Sequence, residues 1–461
     1  MRHLIRIEVD GMLRRFDHVV AFPSDWEFVI LHGPNGVGKT KLLELVSATF
    51  NFHLDRVASI PFNSARFDFD DDAKLRVTKV ISPPVQRQTR RGRLSTDHPG
   101  VNLHLELTRP RRAKIVWTWA SDVSSHLYRR FLLDVAPLAP LADGRYQDLA
   151  TDEVLTLSEA AQRYVHLLPP DLGPPGEEQP KELTDFLSDT KVYLIETQRL
   201  LNLPKVVTNT RSARQPPGSE LPKSRVSLYS DDLTKRFREA LAQNSRRSQD
   251  LDRTFPGRLL EDDPSLQVTD EEIRQKYRKQ TEFRSRLAEI DVLGTPTDYI
   301  PLPERDLAAW ERRVLWTYLQ DAERKLETFE DLLSRVRLLQ EIVNSRFKYK
   351  TIHISRDRGF VIVTDDQQQE IAPDRLSSGE QHELVLVYDL LFQVQEDTVV
   401  LIDEPEISLH VGWQRQFLYD LFEISKLTSL RFIIATHSPQ IIHKWRDRTV
   451  SLVPQSEMDD E

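Results

Sequence analysis

Three apolar runs, Phe28-Val29-Ile30-Leu31, Val399-Val400-Leu401-Ile402 and Ile433-Ile434-Ala435, each stop abruptly at polar or charged residues. Short uninterrupted runs of this kind, rich in β-branched side chains, mark strands buried on both faces of a parallel sheet. Val192-Tyr193-Leu194-Ile195 is a fourth, running into Glu196-Thr197-Gln198-Arg199. Elsewhere the pattern changes to strict alternation. Leu4–Val9 and Val19–Phe22 read as further strands, and Ile60–Ile81 and Val101–Trp119 as antiparallel strands with one solvated face. Thr351–Ser355 and Phe360–Thr364 flank Asp357-Arg358-Gly359, a hairpin signal.

Between the second and third parts of this pattern the period becomes helical. Ser230 is positioned to cap a helix carrying Leu233, Phe237 and Leu241, and Thr269 with Glu272 forms a capping box for a second. From Glu304 to Phe347, the residues Leu315, Leu319, Ala322, Leu326, Phe329, Leu333 and Val336 alternate spacings of four and three. That is a coiled-coil seam on a helix of ~40 residues, about 60 Å long. It is compatible either with an antiparallel bundle or with an arm that contacts another subunit.

Composition narrows the chemistry. The 461 residues carry a formal net charge of −9, 29% charged residues and no cysteine. Disulfides, thiolate metal sites and a cysteine nucleophile are excluded, and a reducing cytoplasm is the compartment this fits. No apolar run approaches the roughly 18 residues of a membrane span. The acidic balance argues against a protein coated in phosphate contacts, leaving Arg87, Arg90, Arg91 and Arg93 as one basic loop, either solvated or facing DNA.

The strand Phe28–Leu31 leads into Gly33-Pro34-Asn35-Gly36-Val37-Gly38-Lys39-Thr40, and an apolar helix, Lys41–Phe50, follows. This is the G-x-x-x-x-G-K-[ST] pattern in the strand-to-helix context its chemistry requires. Its backbone N–H groups and the helix N-terminus favour phosphate. Lys39 would reach the β- and γ-phosphates and the Thr40 hydroxyl a Mg²⁺ ion. Asp403 and Glu404 end the run Val399–Ile402, at the edge where open α/β sheets bind ligands. Asp403, Thr40 and Gln198 are candidate Mg²⁺ ligands, Mg²⁺ being a hard cation that prefers oxygen. Glu404 is the candidate base for the attacking water. His437, ending a neighbouring strand, is placed to bond the γ-phosphate or that water.

Leu376-Ser377-Ser378-Gly379-Glu380 opens an apolar helix and resembles the signature of the ABC ATPase superfamily, which closes two heads on two ATP molecules. With Gly33–Thr40 matching Walker A, Asp403-Glu404 matching Walker B, Glu406–His410 the D-loop, His437 the switch histidine and Gln198 the Q-loop, the resemblance covers most of the chain outside 200–346. It implies an α/β fold: an ABC-ATPase head, with a mixed or parallel sheet bearing the P-loop, an antiparallel β subdomain and a helical, coiled-coil-like insertion. The divisions expected are 1–200 for the N-terminal lobe, 201–347 for the insertion and 348–461 for the C-terminal lobe. Ser377 and Gly379 are implied γ-phosphate contacts, though Ser378 stands where the superfamily usually has glycine.

Within the superfamily the chain is similar to the structural-maintenance-of-chromosomes, Rad50, RecF and OLD-like branch. The lack of cysteine excludes a zinc hook, and the short stretch after Glu404 leads us to expect no TOPRIM nuclease on this chain. The phrases around Gln198, Ser377 and His437 resemble the stand-alone ATPases of bacterial anti-phage defence, those of PARIS systems foremost and those of Septu systems next. That resemblance implies ATP and Mg²⁺ as cofactors and a homodimer through ATP-sandwiched heads within a higher homo-oligomer. It also implies a TOPRIM-type effector nuclease encoded nearby and a phage-encoded trigger protein. A RecF-like DNA-repair clamp is the other reading, and a nucleotide-stabilised scaffold without turnover a third.

Overall fold

The computed structural model describes residues 2–23, 26–81, 86–88, 94–96, 101–121, 132–141, 145–149, 154–155, 160, 163–164, 179–196, 224–260, 268–290, 292, 301–366, 369–407 and 409–452. In chain order, β1 (Leu4–Met12) and β2 (Phe16–Ala21) form a hairpin, then β3 (Phe28–His32) leads into α1 (Lys39–Phe50). β4 (Ser64–Phe69), β5 (Lys74–Ile81), β6 (Val101–Thr108) and β7 (Ile115–Ser121) follow, then β8 (Val192–Glu196). The helical region is α2 (Arg225–Leu260), α3 (Asp270–Glu289), α4 (Ala309–Leu326) and α5 (Glu330–Arg346). The hairpin β9 (Lys350–Ser355) and β10 (Gly359–Thr364) precedes α6 (Ser378–Tyr388), β11 (Val399–Asp403), α7 (Val411–Thr428), β12 (Arg431–Ala435) and β13 (Thr449–Ser451).

The uninterrupted apolar runs do form a parallel sheet, in the order β8-β11-β12-β3-β13. Side chains on a strand alternate between faces, and the two faces feed two cores. Val29, Leu31, Leu401, Ile433 and Ala435 pack with α1 and the six-stranded antiparallel sheet β2-β1-β4-β5-β6-β7. Phe28, Ile30, Val400, Ile402, Phe432 and Ile434 pack with α2, α5, α6 and α7. That two-sided burial explains why these strands show no polar alternation, whereas β5 and β6 do. The architecture is α/β: a parallel sheet lying between an antiparallel β subdomain and a helical region, as expected from the sequence.

Two expectations are corrected by the packing. The seam predicted for one helix over 304–347 belongs to α4 and α5, separated by a 3₁₀ turn at Glu327–Phe329, and among the described residues the longest helix is α2, with 36 residues. Leu326, Phe329, Leu333 and Val336 bury against Leu233, Phe237 and Leu287, so this seam is covered within the chain. Ser230 caps no helix. It lies inside α2, where its Oγ donates to Arg358 O (3.1 Å) and accepts from Phe360 N–H (2.8 Å), stitching the insertion to the β9–β10 turn. The capping box at Thr269 and Glu272 is present as read. The basic loop at Arg90, Arg91 and Arg93 lies outside the described residues.

α6 is also held to the helix that leaves the insertion. Arg346, at the end of α5, reaches Glu383 of α6 (3.7 Å) and pairs with Asp420 of α7. Arg346 and Glu383 are buried and Asp420 is half-buried, and burial pushes the Glu383 carboxyl up to about 7 against the pull of Arg346. A carboxyl whose pKa rises on folding stabilises the fold at low pH, and that contribution disappears as pH climbs from its unfolded value toward 7. Glu383→Gln, which cannot ionise, should therefore change Tm little at pH 5 and raise it at pH 8 relative to the unchanged chain, as measured by thermal melts at both pH values.

Candidate nucleotide site

Parallel strands end on the same edge, so the sheet register decides which side chains meet. Asp403 pairs with Ala435, and Ala435 with Leu31. The polar residues that follow each apolar run are thereby brought to one line: His32-Gly33 after β3, Asp403-Glu404 on β11 and Thr436-His437 after β12.

The loop between β3 and α1 turns at Gly36 (φ 84°) and Gly38 (φ 100°), left-handed conformations that disfavour any side chain. At Gly38 a Cβ would also stand 2.9 Å from Met12 Cγ. Lys39 opens α1 and is buried, and that burial pushes its ammonium below the ordinary lysine value. Its Nζ donates to Gly33 O (2.9 Å) and Pro34 O (3.1 Å) and lies 3.4 Å from His437 Nδ1.

One residue on, the Thr40 hydroxyl donates to Asp403 Oδ1 at 3.1 Å. Two neighbouring oxygens on an octahedral Mg²⁺, each at roughly 2.1 Å, lie about 3 Å apart. The donor set and spacing fit that ion. Burial, with Glu404, Glu44 and Glu406 nearby, pushes the Asp403 carboxyl up to about 6, while the Thr40 bond opposes the shift. A divalent cation would relieve that crowding of negative charge.

Glu404 takes φ 46°, a conformation uncommon outside glycine. Its N–H donates to Ala435 O (2.9 Å), and its carboxylate lies 3.7 Å from His437 Nε2. The strained backbone thus turns Glu404 from the line of β11 toward the end of β12. Both side chains remain about one-third exposed, so water reaches them.

Glu406, within the stretch expected at the D-loop, bonds the segment that follows β12. Its carboxylate accepts from Thr436 Oγ1 (2.8 Å) and from the His437 backbone N–H (2.6 Å). Ser438, capping the next turn, donates to Gln414 Oε1 (2.7 Å), and Gln414 Nε2 returns to Leu409 O at 3.2 Å. The segment after β11 and the segment after β12 are therefore one hydrogen-bonded unit. A carboxylate two residues after Glu404 hinted at this, but its partner depends on a strand pairing that no local pattern reveals.

Of the residues singled out in the sequence, Gly33 to Thr40, Asp403, Glu404 and His437 come together. Ser377 and Gly379 do not join them: Ser377 is the N-cap of α6, paired with Glu380 in a capping box, and α6 packs against α2 and α5. Glu380 is in turn held by Lys350 at 2.9 Å, and Ser377 and Ser378 are exposed. Gln198 lies outside the described residues, although β8 ends beside β11 with Glu196 opposite Asp403.

Residues 215–443 match the family model described as "AAA domain, putative AbiEii toxin, Type IV TA system". Among characterised proteins, the chain is 26% identical over 169 residues to the "Retron Ec83 probable ATPase" of Escherichia coli, covering 30% of this chain and 31% of that protein. It is 29% identical over 135 residues to "Protein ea59" of Escherichia phage lambda, covering 29% of this chain and 25% of that one. The matched stretches thus span under a third of either relative. Among solved structures, the Smc head domain of Pyrococcus furiosus aligns over 96% of this chain and 92% of that one, at 12% identity and TM-score 0.34. Residues 215–443 are thus similar to an AAA domain family, and part of the chain is similar in sequence to part of a retron ATPase.

Glu406→Ala removes the acceptor shared by Thr436 and the His437 N–H. Hydrogen bonds to a charged group contribute about 1.5–3 kcal/mol. We expect ATP turnover to fall at least about tenfold while ATP affinity stays within about threefold, as read from steady-state phosphate release and equilibrium titration. Unchanged turnover would detach Glu406 from the histidine.

Proposed function

We propose that this protein is an ATP-hydrolysing sensor or scaffold subunit of a bacterial anti-phage defence complex, similar to AriA of PARIS systems, which holds a separate TOPRIM-type nuclease and releases it when a phage-encoded protein is sensed. The convergence of Lys39, Thr40, Asp403, Glu404 and His437 at one sheet edge carries the ATPase part. The family description, with its toxin–antitoxin reference, and the likeness to a retron ATPase favour a defence role over a DNA-repair clamp.

In this mechanism the loop Gly33–Gly38 and the start of α1 bind the phosphates, and Lys39 leaves the Gly33 and Pro34 carbonyls for the β/γ bridge. Thr40 and Asp403 hold Mg²⁺, which supplies charge neutralisation when bound. Glu404 orients the attacking water and takes its proton, and His437, held by Glu406, contacts the γ-phosphate side. The turn at Ser377 and Gly379, where Ser377 and Ser378 are exposed, completes the nucleotide pocket of a second copy. Two subunits then close face to face on two ATP molecules, and hydrolysis opens them.

Lys39→Ala should abolish ATP binding in equilibrium titration. Glu404→Gln should retain binding, lose turnover by at least about a hundredfold and accumulate as an ATP-dependent dimer or larger assembly in light scattering. Co-expression with the adjacent gene products should recover a bound nuclease in the Glu404→Gln variant. Salt-sensitive binding to DNA with no protein partner would favour the repair-clamp reading instead.

A further inference from the structure

The β1–β2 hairpin presses on the phosphate loop at two consecutive residues. Met12, fully buried, fills the space a side chain on Gly38 would need. On β2, His18, only 4% exposed and paired across the hairpin with Val9, places Nε2 2.8 Å from Val37 O. A carbonyl only accepts, so Nε2 carries the proton. The two sides of a trans peptide point apart: where the carbonyl of one residue faces one way, the N–H of the next faces the other.

We propose that His18 is a positioning residue of the nucleotide site, holding Val37 O so that the Gly38 N–H faces the phosphates. The inference rests on the ATP-binding reading above. Gly38 has φ 100° and can rotate its peptide more freely than any other residue type, so the loop needs an outside hold to keep that donor aimed. Lys39 fixes the loop at its other end through Gly33 O and Pro34 O. Between these two holds the loop is set before nucleotide arrives, which lowers the ordering cost of binding. Burial keeps the His18 imidazole below its ordinary pKa and hence neutral at pH 7.5, so one ring nitrogen donates and the other does not.

The test uses the full chain and a fluorescent ATP analogue with Mg²⁺ at pH 7.5, comparing the unchanged protein with Lys39→Ala, His18→Gln and His18→Asn. The glutamine amide reaches the Nε2 position, whereas the asparagine amide stops near Nδ1. We expect His18→Gln to bind within about threefold of the unchanged chain. His18→Asn should bind about tenfold more weakly with a similar Tm, tenfold being the equivalent of about 1.4 kcal/mol for one lost buried hydrogen bond. Equal affinity in folded His18→Asn, with binding abolished in Lys39→Ala, overturns the role of His18 alone. Absence of binding in the unchanged protein overturns the ATP-site reading and this inference with it. If His18→Asn does not fold, His18→Gln decides: retained affinity supports the assignment, and a tenfold loss at unchanged Tm overturns it.

Discussion

The single bond from Thr40 to Asp403 ties together residues 363 positions apart. It exists because β3 and β11 are parallel members of one sheet with β12 between them, in a register that ends all three at the same edge. Everything chemical in the molecule depends on that alignment. Shifting β11 by one residue relative to β12 would turn Asp403 to the opposite face and bury Glu404 in its place. The two cores on either side of the sheet hold that register, since Val400, Leu401 and Ile402 are each fully buried and each contributes on the order of 1.5–3 kcal/mol.

The cores also divide the labour of the molecule. The core shared with the antiparallel sheet supports α1 and the loop before it, and the hairpin at Met12 and His18 bears directly on that loop. The core on the other face ties the insertion to α6. Arg225 and Tyr229 of α2 both bond Asp389 just past α6, and the Tyr388 hydroxyl donates to Asp232 of α2 at 2.7 Å. Arg346 links α5 to α6 and α7. The helix that Ser377 caps is thus tied to the insertion, while the Gly33–Thr40 loop is braced by the other core.

Much of this was legible from local pattern. Uninterrupted apolar runs named the parallel strands because burial on two faces leaves no room for alternation. The spacing Gly33 to Thr40 is readable because backbone curvature around a phosphate demands glycine at set positions. The capping box at Thr269 is readable because it is satisfied within four residues. Ser230 misled because an isolated serine before an apolar period has the same appearance whether it bonds its own helix or, as here, the turn at Arg358 and Phe360. The seam over 304–347 misled because heptad spacing continues through the 3₁₀ turn at Glu327–Phe329, so the break between helices leaves no mark on it.

The sequence by itself determined the strand and helix types, the phosphate loop and the carboxylate pair at the end of β11, since each follows from interactions among near neighbours. Only the tertiary structure decided that Glu406 holds His437, that His18 holds Val37 and that the insertion seam is covered from within. Each of those pairs is formed across a sheet or between packed layers, where the partner is chosen by strand order and by which face each side chain occupies, and neither is encoded in the spacing of residues along the chain.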